Sequence, residues 1–183
     1  DYLTVGEVVP DEEGGILETF YGNLTVVDNI QGGSHGKIKD LEFVQGSLAI
    51  QGGQIGDSNG GGLTCNEKSG SVTISGGTVL GLQVGEGADV TVNSGSAHAG
   101  AWLNDGTLNI TGGTFGDVRF RNNGGTIAIS GGKFGTITNH DASSTIPLMP
   151  LLANGYAFYK DNVVQDATAK NLTDVTVGAH THT

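Results

Sequence analysis

The sequence contains few cysteines, prolines and basic residues, and it has no long apolar run. Cys65 is the single cysteine among 183 residues, which excludes a disulfide within the chain. Only 3 prolines accompany 33 glycines, and glycine does not recur at every third position, so a collagen-like triple helix is excluded. No apolar stretch approaches the roughly 20 residues that a membrane-spanning helix needs.

Positive charge is also scarce. The chain has 8 Lys and Arg residues against 19 Asp and Glu residues, a formal net charge of -11. Such a surface repels phosphate backbones and anionic lipids, and we find no basic cluster that would reverse this. We therefore expect no nucleic-acid partner and no direct insertion into a membrane. Since the chain begins at Asp1 without a methionine or a secretory signal, we expect it to be part of a longer product.

The abundant glycines belong to an internal repeat of 18 to 24 residues. Each unit carries apolar residues at its second and fourth positions, a small or polar residue between them, and usually a Gly-Gly pair at the end. The units begin at Val27, Ser47, Ser71, Asp89, Thr107 and Thr126. This alternation with period two predicts short strands that have one buried face.

Aligning the units produces columns of similar residues. The fourth position of the units holds Ile30, Ile50, Ile74, Val92, Ile110 and Ile129, and the ninth holds His35, Ile55, Val79, Ala97, Phe115 and Phe134. Trp102 falls in a column with Val84 and Phe120, which predicts that it packs in the core. One unit alone could not bury its apolar face, so the units must stack. The sequence thus predicts an all-β fold, a β-solenoid of about six or seven coils with glycines at the corners.

The repeat also resembles a known family. The runs SVTISGGTV (71–79), TLNITGGTFGDV (107–118) and TIAISGGKFGTI (126–137) resemble the parallel β-helix repeats of large secreted and cell-surface proteins of Gram-positive gut or mucosal bacteria. The segment 151–177 resembles the region that comes after the repeats in those proteins. The resemblance implies a single-stranded right-handed parallel β-helix that is extracellular, secreted or attached to the cell wall as part of a larger protein. Left-handed hexapeptide helices fit less well, because their six-residue rhythm is absent.

The repeat boundaries suggest four regions. We expect an N-terminal cap or first irregular coil at 1–22, the parallel β-helix at 23–139, a C-terminal capping segment at 140–177 and a flexible tail at 178–183. Within the small C-terminal β cap, a hairpin is predicted around Lys160–Asn162 and a strand at Leu172–Val177. The apolar residues between Pro147 and Pro150, and just after them, could cover the last coil. His180 and His182 lie in the tail without a third ligand nearby, so we predict no metal site.

The candidate ligand-binding residues lie on the outer surface of the coils. Arg119 and Arg121 flank an inward Phe120, so both should point outward together with Asp117. Glu86 and Asp105 fall in corresponding loops of adjacent coils. The matching positions Asp57 and Asp117 are three coils apart, about 14 Å at strand spacing, whereas paired glycosidase carboxylates are about 5–9.5 Å apart. We therefore predict no catalytic residues, and no cofactor is implied.

Two classes of function remain open. The first is a non-enzymatic β-helix module of a bacterial surface or secreted protein, serving as a spacer or as an adhesion domain for a glycan or a host surface protein. The alternative is a polysaccharide-acting enzyme, a lyase or glycoside hydrolase, or its accessory carbohydrate-binding domain. In that case Arg119, Arg121, Asp117, Glu86 and Asp105 would form the site. Cys65 is interpreted as an inert, packed thiol, and the sequence leaves the oligomeric state open.

Overall fold

Short strands from successive coils stack in parallel along the length of the chain. The computed structural model describes residues 2–5, 7–10, 16–20, 22–27, 37–56, 61–65, 70–141 and 144–180, and it gives the backbone alone for 2–20 and 98–100. The predicted all-β class and the parallel β-solenoid are confirmed. The solenoid has about 5 turns, fewer than the predicted six or seven.

The strands of the described residues form one 14-stranded sheet, here called the long sheet, one 6-stranded sheet and one 2-stranded sheet. In chain order the elements are β1 (Tyr2–Val5), β2 (Glu7–Pro10), β3 (Ile16–Phe20), β4 (Gly22–Val26), β5 (Lys37–Ile38), β6 (Asp40–Phe43), β7 (Gly46–Ile50), β8 (Gln54–Ile55), β9 (Gly62–Cys65), β10 (Gly70–Ile74), β11 (Thr78–Val79), β12 (Leu82–Val84), β13 (Asp89–Val92), β14 (Ser96–Asn104), β15 (Thr107–Ile110), β16 (Thr114–Asn123), β17 (Thr126–Ile129), β18 (Lys133–His140), β19 (Thr145–Ile146), a 3-10 helix (Met149–Leu151), β20 (Tyr156–Lys160), β21 (Val163–Val164) and β22 (Asn171–Ala179).

The six-stranded sheet contains the predicted first strand of each repeat. Its strands follow the order β17-β15-β13-β10-β7-β4, and every pair is parallel. The residues of the predicted fourth-position column are in register, as in Ile50 with Ile74 and Ile110 with Ile129. Ile50 and Ile129 are both 0% exposed. The predicted alternation of apolar-in and polar-out residues is therefore confirmed in this sheet.

The predicted start of the first repeat unit is wrong. Strand β4 pairs with β7 so that Leu24 lies beside Leu48 and Val26 beside Ile50, which removes Val27 as the start of a unit. Leu24 and Val26 have the same period-two alternation as the later units but lack the Gly-Gly pair that identified them. In the same coil Ile38, not His35, pairs with Ile55. Ile30 and His35 lie outside the described residues.

The paired glycines form the corner after this sheet, as predicted. Gly77 has φ +72°, in the left-handed region that residues with a Cβ adopt at a cost. A Cβ on its neighbour Gly76 would lie 2.3 Å from the backbone oxygen of Gln51 in the coil before. Both close approach and backbone conformation therefore require glycine. Beyond the corner the core continues, and the rings of Phe115 and Phe134 stack with centroids 4.8 Å apart.

The C-terminal end of the solenoid changes from parallel to antiparallel pairing. Strand β18 is parallel to β16 but antiparallel to β22, and β22 in turn pairs with the hairpin of β20 and β21. Leu148 and Leu151 are buried below this end, and Leu152 forms a bridge with Ile129 of the last coil. Strand β22 continues to Ala179, so residues 178 and 179, predicted as tail, belong to the cap. His182 lies outside the described residues.

The N-terminal strands also join the solenoid. Strand β1 is parallel to β6, with Leu3 beside Leu41, and so extends the long sheet by one strand. Strands β2 and β3 pair with each other in an antiparallel hairpin. Part of the region predicted as a cap or irregular coil thus provides a regular rung of the solenoid.

The stacked columns predict a large loss of stability when one of their members is truncated. For Ile74→Ala we expect the free energy of unfolding to fall by about 2–5 kcal/mol, because transfer and cavity terms add in a close-packed core. The matched control is Thr73→Ala on the same strand, which faces outward and should change stability by about 0.5 kcal/mol or less. Denaturant titrations followed by circular dichroism measure both, and similar losses in the two variants would contradict the inward column.

Candidate functional site

The outward face of the long sheet carries a row of six residues in register, one on each of six successive strands. From the N-terminal to the C-terminal side these residues are Glu42, Thr64, Gln83, Trp102, Arg121 and His140. Because neighbouring strands are about 4.8 Å apart, the row extends along the solenoid axis for about 24 Å. Polar, aromatic and basic side chains therefore follow one another along a single line.

Trp102 lies on this outward face, and the prediction that it packs in the core is wrong. Its side chain is 43% exposed, whereas Ala101 and Leu103 on either side of it are buried. Trp102 pairs with Gln83 and Arg121, while Leu103 takes the place beside Val84. The register with β16 shifts between Ala97 and Ala99: Ala97 pairs with Phe115 but Ala99 pairs with Val118, so β16 has one residue more than β14 between these pairs. Since side chains alternate along a strand, a shift of one residue reverses the face.

Arg119 and Arg121 point outward as predicted, because Phe120 between them is 1% exposed and packs in the core. Asp117, two residues before Arg119, is also on the outward face. Within the part of the chain that the structure describes, neither guanidinium has a hydrogen-bond or ion-pair partner. The described ion pair is elsewhere, between Lys160 Nζ and Asp174 Oδ2 in the cap, at 3.7 Å. Both arginines are thus available to an external anion.

Trp102, Asp117 and both arginines line one open depression of about 490 Å³, together with Val118, Thr136 and Thr138. A second depression of about 390 Å³ continues towards the cap and includes Trp102, Arg121, Asn123 and His140. A third, of about 190 Å³, extends the other way past Gln83 and Thr64 to Asp40. Trp102 lines all three, so it stands at the centre of a shallow groove, here called the Trp102 groove.

The other two predicted site residues lie outside the Trp102 groove. Glu86 is exposed in the turn between β12 and β13, and Asp105 occupies the turn between β14 and β15 with φ 57°. The two turns belong to adjacent coils, and the carboxylate of Asp105 packs against Gly124. Neither residue lines the three depressions of the groove. The structure therefore brings together Asp117, Arg119 and Arg121 but not Glu86 or Asp105.

The arrangement provides the chemical groups needed to bind a sugar. An exposed indole offers an apolar surface on which the C–H face of a sugar ring can stack. A guanidinium can donate two parallel hydrogen bonds to a carboxylate or sulfate. Amide and hydroxyl side chains provide further donors and acceptors, and Asn123 Nδ2 already donates to Asn104 Oδ1 at 3.3 Å. Asp117 is the one carboxylate that lines the 490 Å³ depression in the described part of the chain.

The structure contains neither a metal cluster nor a membrane-spanning helix in the residues that it describes. No group of three or more His, Cys, Asp or Glu side chains in those residues could hold a metal ion. No helix among them is long and apolar enough to cross a membrane. Asp57, which the sequence pairs with Asp117 in one column, lies outside the described residues.

Fold and site together define the class of the protein as a parallel β-solenoid with a polar and aromatic groove along its long sheet. Comparisons with known protein families, curated proteins and solved structures found no match to this chain.

The outward position of Trp102 can be tested by fluorescence, because it is the single tryptophan of the chain. We expect acrylamide to quench the native protein efficiently, and unfolding in urea to shift the emission maximum only slightly. An exposed indole is already surrounded by water, whereas a core indole becomes hydrated only on unfolding. Poor quenching of the native protein, together with a large red shift on unfolding, would place Trp102 in the core.

Cys65 is predicted to be chemically inert while the protein is folded. Its side chain is 0% exposed, and desolvation by burial raises the pKa of the thiol to about 12. Because the thiolate is the nucleophile, the native protein should remain unlabelled by iodoacetamide at pH 8 during the time in which the urea-unfolded chain reacts fully. Mass spectrometry measures both, and equal rates of labelling would contradict the burial of Cys65.

Proposed function

We propose that this chain is a non-enzymatic, glycan-binding β-solenoid module of a secreted or cell-surface bacterial protein. The observation that carries the proposal is the exposed Trp102 beside two guanidiniums that have no partner among the described residues, all in one groove. The indole of Trp102 is 43% exposed, so a large part of its apolar surface is open to a ligand. Its position next to Arg119 and Arg121 matches what a sugar with an acidic substituent requires.

The rigidity of the groove supports a binding role. The floor is a parallel sheet whose neighbouring strands hold each other by backbone hydrogen bonds, and inward side chains such as Phe120 and Leu103 are buried in the core. The outward side chains are therefore held on a fixed frame before a ligand arrives. Binding then loses little conformational entropy, which favours affinity from a small number of contacts.

The net charge of -11 does not prevent an acidic ligand from binding here. Charges on the surface are screened over about 8 Å at physiological ionic strength, so distant carboxylates act weakly on the groove. A ligand in the 490 Å³ depression lies beside two positive charges and a single carboxylate, Asp117. The local balance therefore favours an anion although the whole molecule is acidic.

A polysaccharide-acting enzyme is the second candidate, and one observation favours it. Asp117 lines the same depression as Arg119 and Arg121, where it could take a proton from a bound acidic sugar. We favour binding because that depression is open and contains no second carboxylate to share the acid–base work in the described residues. Turnover of an acidic polysaccharide that is lost in Asp117→Asn would make this chain an enzyme.

The proposal predicts that the groove residues control affinity for acidic glycans. In Trp102→Ala and in Arg121→Gln we expect the dissociation constant for a glycan bound by the wild type to rise about tenfold, because stacking or a charge-assisted hydrogen bond is lost. Glycan-array screening followed by isothermal titration calorimetry measures this. We also expect added salt to weaken binding, since the guanidinium contacts are screened.

A matched control separates local contacts from overall charge. Lys133→Gln removes the same charge as Arg121→Gln, and Lys133 is exposed on β18 of the same sheet but does not line the three depressions of the groove. We expect the Lys133 variant to bind like the wild type. Equal weakening in both variants would show that net charge, not the groove, controls binding. Complete absence of glycan binding would favour a spacer role.

A further inference from the structure

Charge changes in a fixed order along the Trp102 groove. At its N-terminal side lies the carboxylate of Asp40, which lines the 190 Å³ depression, and Glu42 on the same strand lies in register with Thr64. The middle contains uncharged groups and Trp102. The C-terminal side contains Arg119 and Arg121 together with the carboxylates of Asp117 and Asp141, and it is the only side where Lys or Arg lines the groove among the described residues. A uniform groove would show no such order, so the two ends must suit different parts of a ligand.

The two charged ends are far enough apart to act separately. The strands of Asp40 and Arg119 are separated by three others, β9, β12 and β14, so they lie about 19 Å apart at strand spacing. This distance exceeds the screening length of about 8 Å at physiological ionic strength. Asp40 therefore does little to compensate the charge of the arginines, so the guanidiniums at one end and the Asp40 carboxylate at the other act separately on a ligand. Asp117 and Asp141 are the carboxylates that line the groove beside the arginines.

The middle of the groove fits uncharged sugars. Its floor next to Thr64 and Gln83 is formed by Gly62 and Gly81, which have no side chains to fill the 190 Å³ depression. Thr64 Oγ1 donates to Gln83 Oε1 at 3.4 Å, which orients the amide and leaves its NH2 group for a hydroxyl or acetamide oxygen. No basic residue lines this depression in the described part of the chain. An acidic sugar here would lack a cationic partner.

We infer that the ligand is a glycan stretch lying along the solenoid axis, in which one acidic sugar is followed by uncharged sugars. The inference rests on the proposed glycan-binding function. The acidic sugar contacts Arg119 and Arg121, the next sugar stacks on Trp102, and the uncharged sugars extend over Gly81 and Gly62 towards Asp40. A polymer with an acid on every sugar places carboxylates against Asp40 and is disfavoured by like charge.

A glycan fits this surface better than an extended peptide. Peptides bind to sheets mainly by adding a strand at an open edge, where unpaired backbone groups are available. The Trp102 groove lies on the face of the sheet, and the strands below it pair with neighbours on both sides. The groups it offers are the indole, guanidiniums, amides and hydroxyls, which suit the ring faces, carboxylate and hydroxyls of sugars.

Three pentasaccharides test the inference by titration calorimetry with the whole chain. Sialyl-lacto-N-tetraose has one carboxylate at one end, pentagalacturonate has one on every sugar, and maltopentaose has none. We expect the sialylated probe to bind about tenfold tighter than maltopentaose, because maltopentaose lacks the carboxylate that makes a charge-assisted bidentate contact. It should also bind about threefold or more tighter than pentagalacturonate. If pentagalacturonate binds with the highest affinity of the three probes, the inference is overturned.

Charge-neutral variants test the direction of the ligand. Asp40→Asn should tighten pentagalacturonate about threefold to fivefold, because a like charge is removed, and should leave the sialylated probe within about twofold. The control Glu86→Gln removes the same charge outside the groove and should change neither. Arg119→Gln should abolish the preference for the sialylated probe over maltopentaose. Identical behaviour of the Asp40 and Glu86 variants would overturn the inferred order.

Failure of the inference is distinguishable from failure of the proposed function. If pentagalacturonate binds tightest and Trp102→Ala abolishes its binding, the groove is a glycan site but the inferred ligand is wrong. If none of the three probes binds or changes Trp102 fluorescence, and no glycan on the array does, the proposed function fails as well. A competition experiment tests the remaining alternative, with a decapeptide that has one basic and one acidic half. If this peptide displaces the bound sialylated probe at a lower concentration than unlabelled sialylated probe does, the groove is a peptide site.

Discussion

The stacking of like apolar side chains in parallel register is the constraint on which the rest of the structure depends. Each coil must place its inward residues over those of the coil before, so Leu24, Leu48 and Val72 stay aligned although the two coils between them are longer than later ones. Differences in length are absorbed by turns and corners between strands. The core therefore fixes the positions of the strands, and the loops vary around it.

Outward side chains are aligned by the same register, but they do not have to be apolar. The same register that stacks Leu63 on Leu82 also places Thr64 beside Gln83, and then Trp102 and Arg121. A β-solenoid thus offers rows of unlike side chains at a regular spacing along its axis. Such rows suit a linear polymer, which can contact one strand after another, and the Trp102 groove follows this geometry.

Much of the fold could be predicted from the sequence, and part of the site. Period-two alternation of residues such as Val72, Thr73 and Ile74 determines which face is buried, and it also shows that Arg119 and Arg121 point outward. The roles of Asp40, Gln83 and His140 in the groove could not be found this way. They come from different coils, and only the pairing of strands brings them into line.

Trp102 is the clearest case of a residue whose position could not be predicted from the sequence. By itself the sequence determined the class of fold, the inward columns and the glycine corners, because these result from local alternation and from backbone conformations that only glycine adopts cheaply. The tertiary structure alone decided that Trp102 lies beside the outward Arg121 and not beside Phe120, because β16 has one residue more than β14 where their register shifts. It also decided that β4 begins the six-stranded sheet. Register depends on contacts between coils, and spacing along a single chain does not specify those contacts where coil length varies.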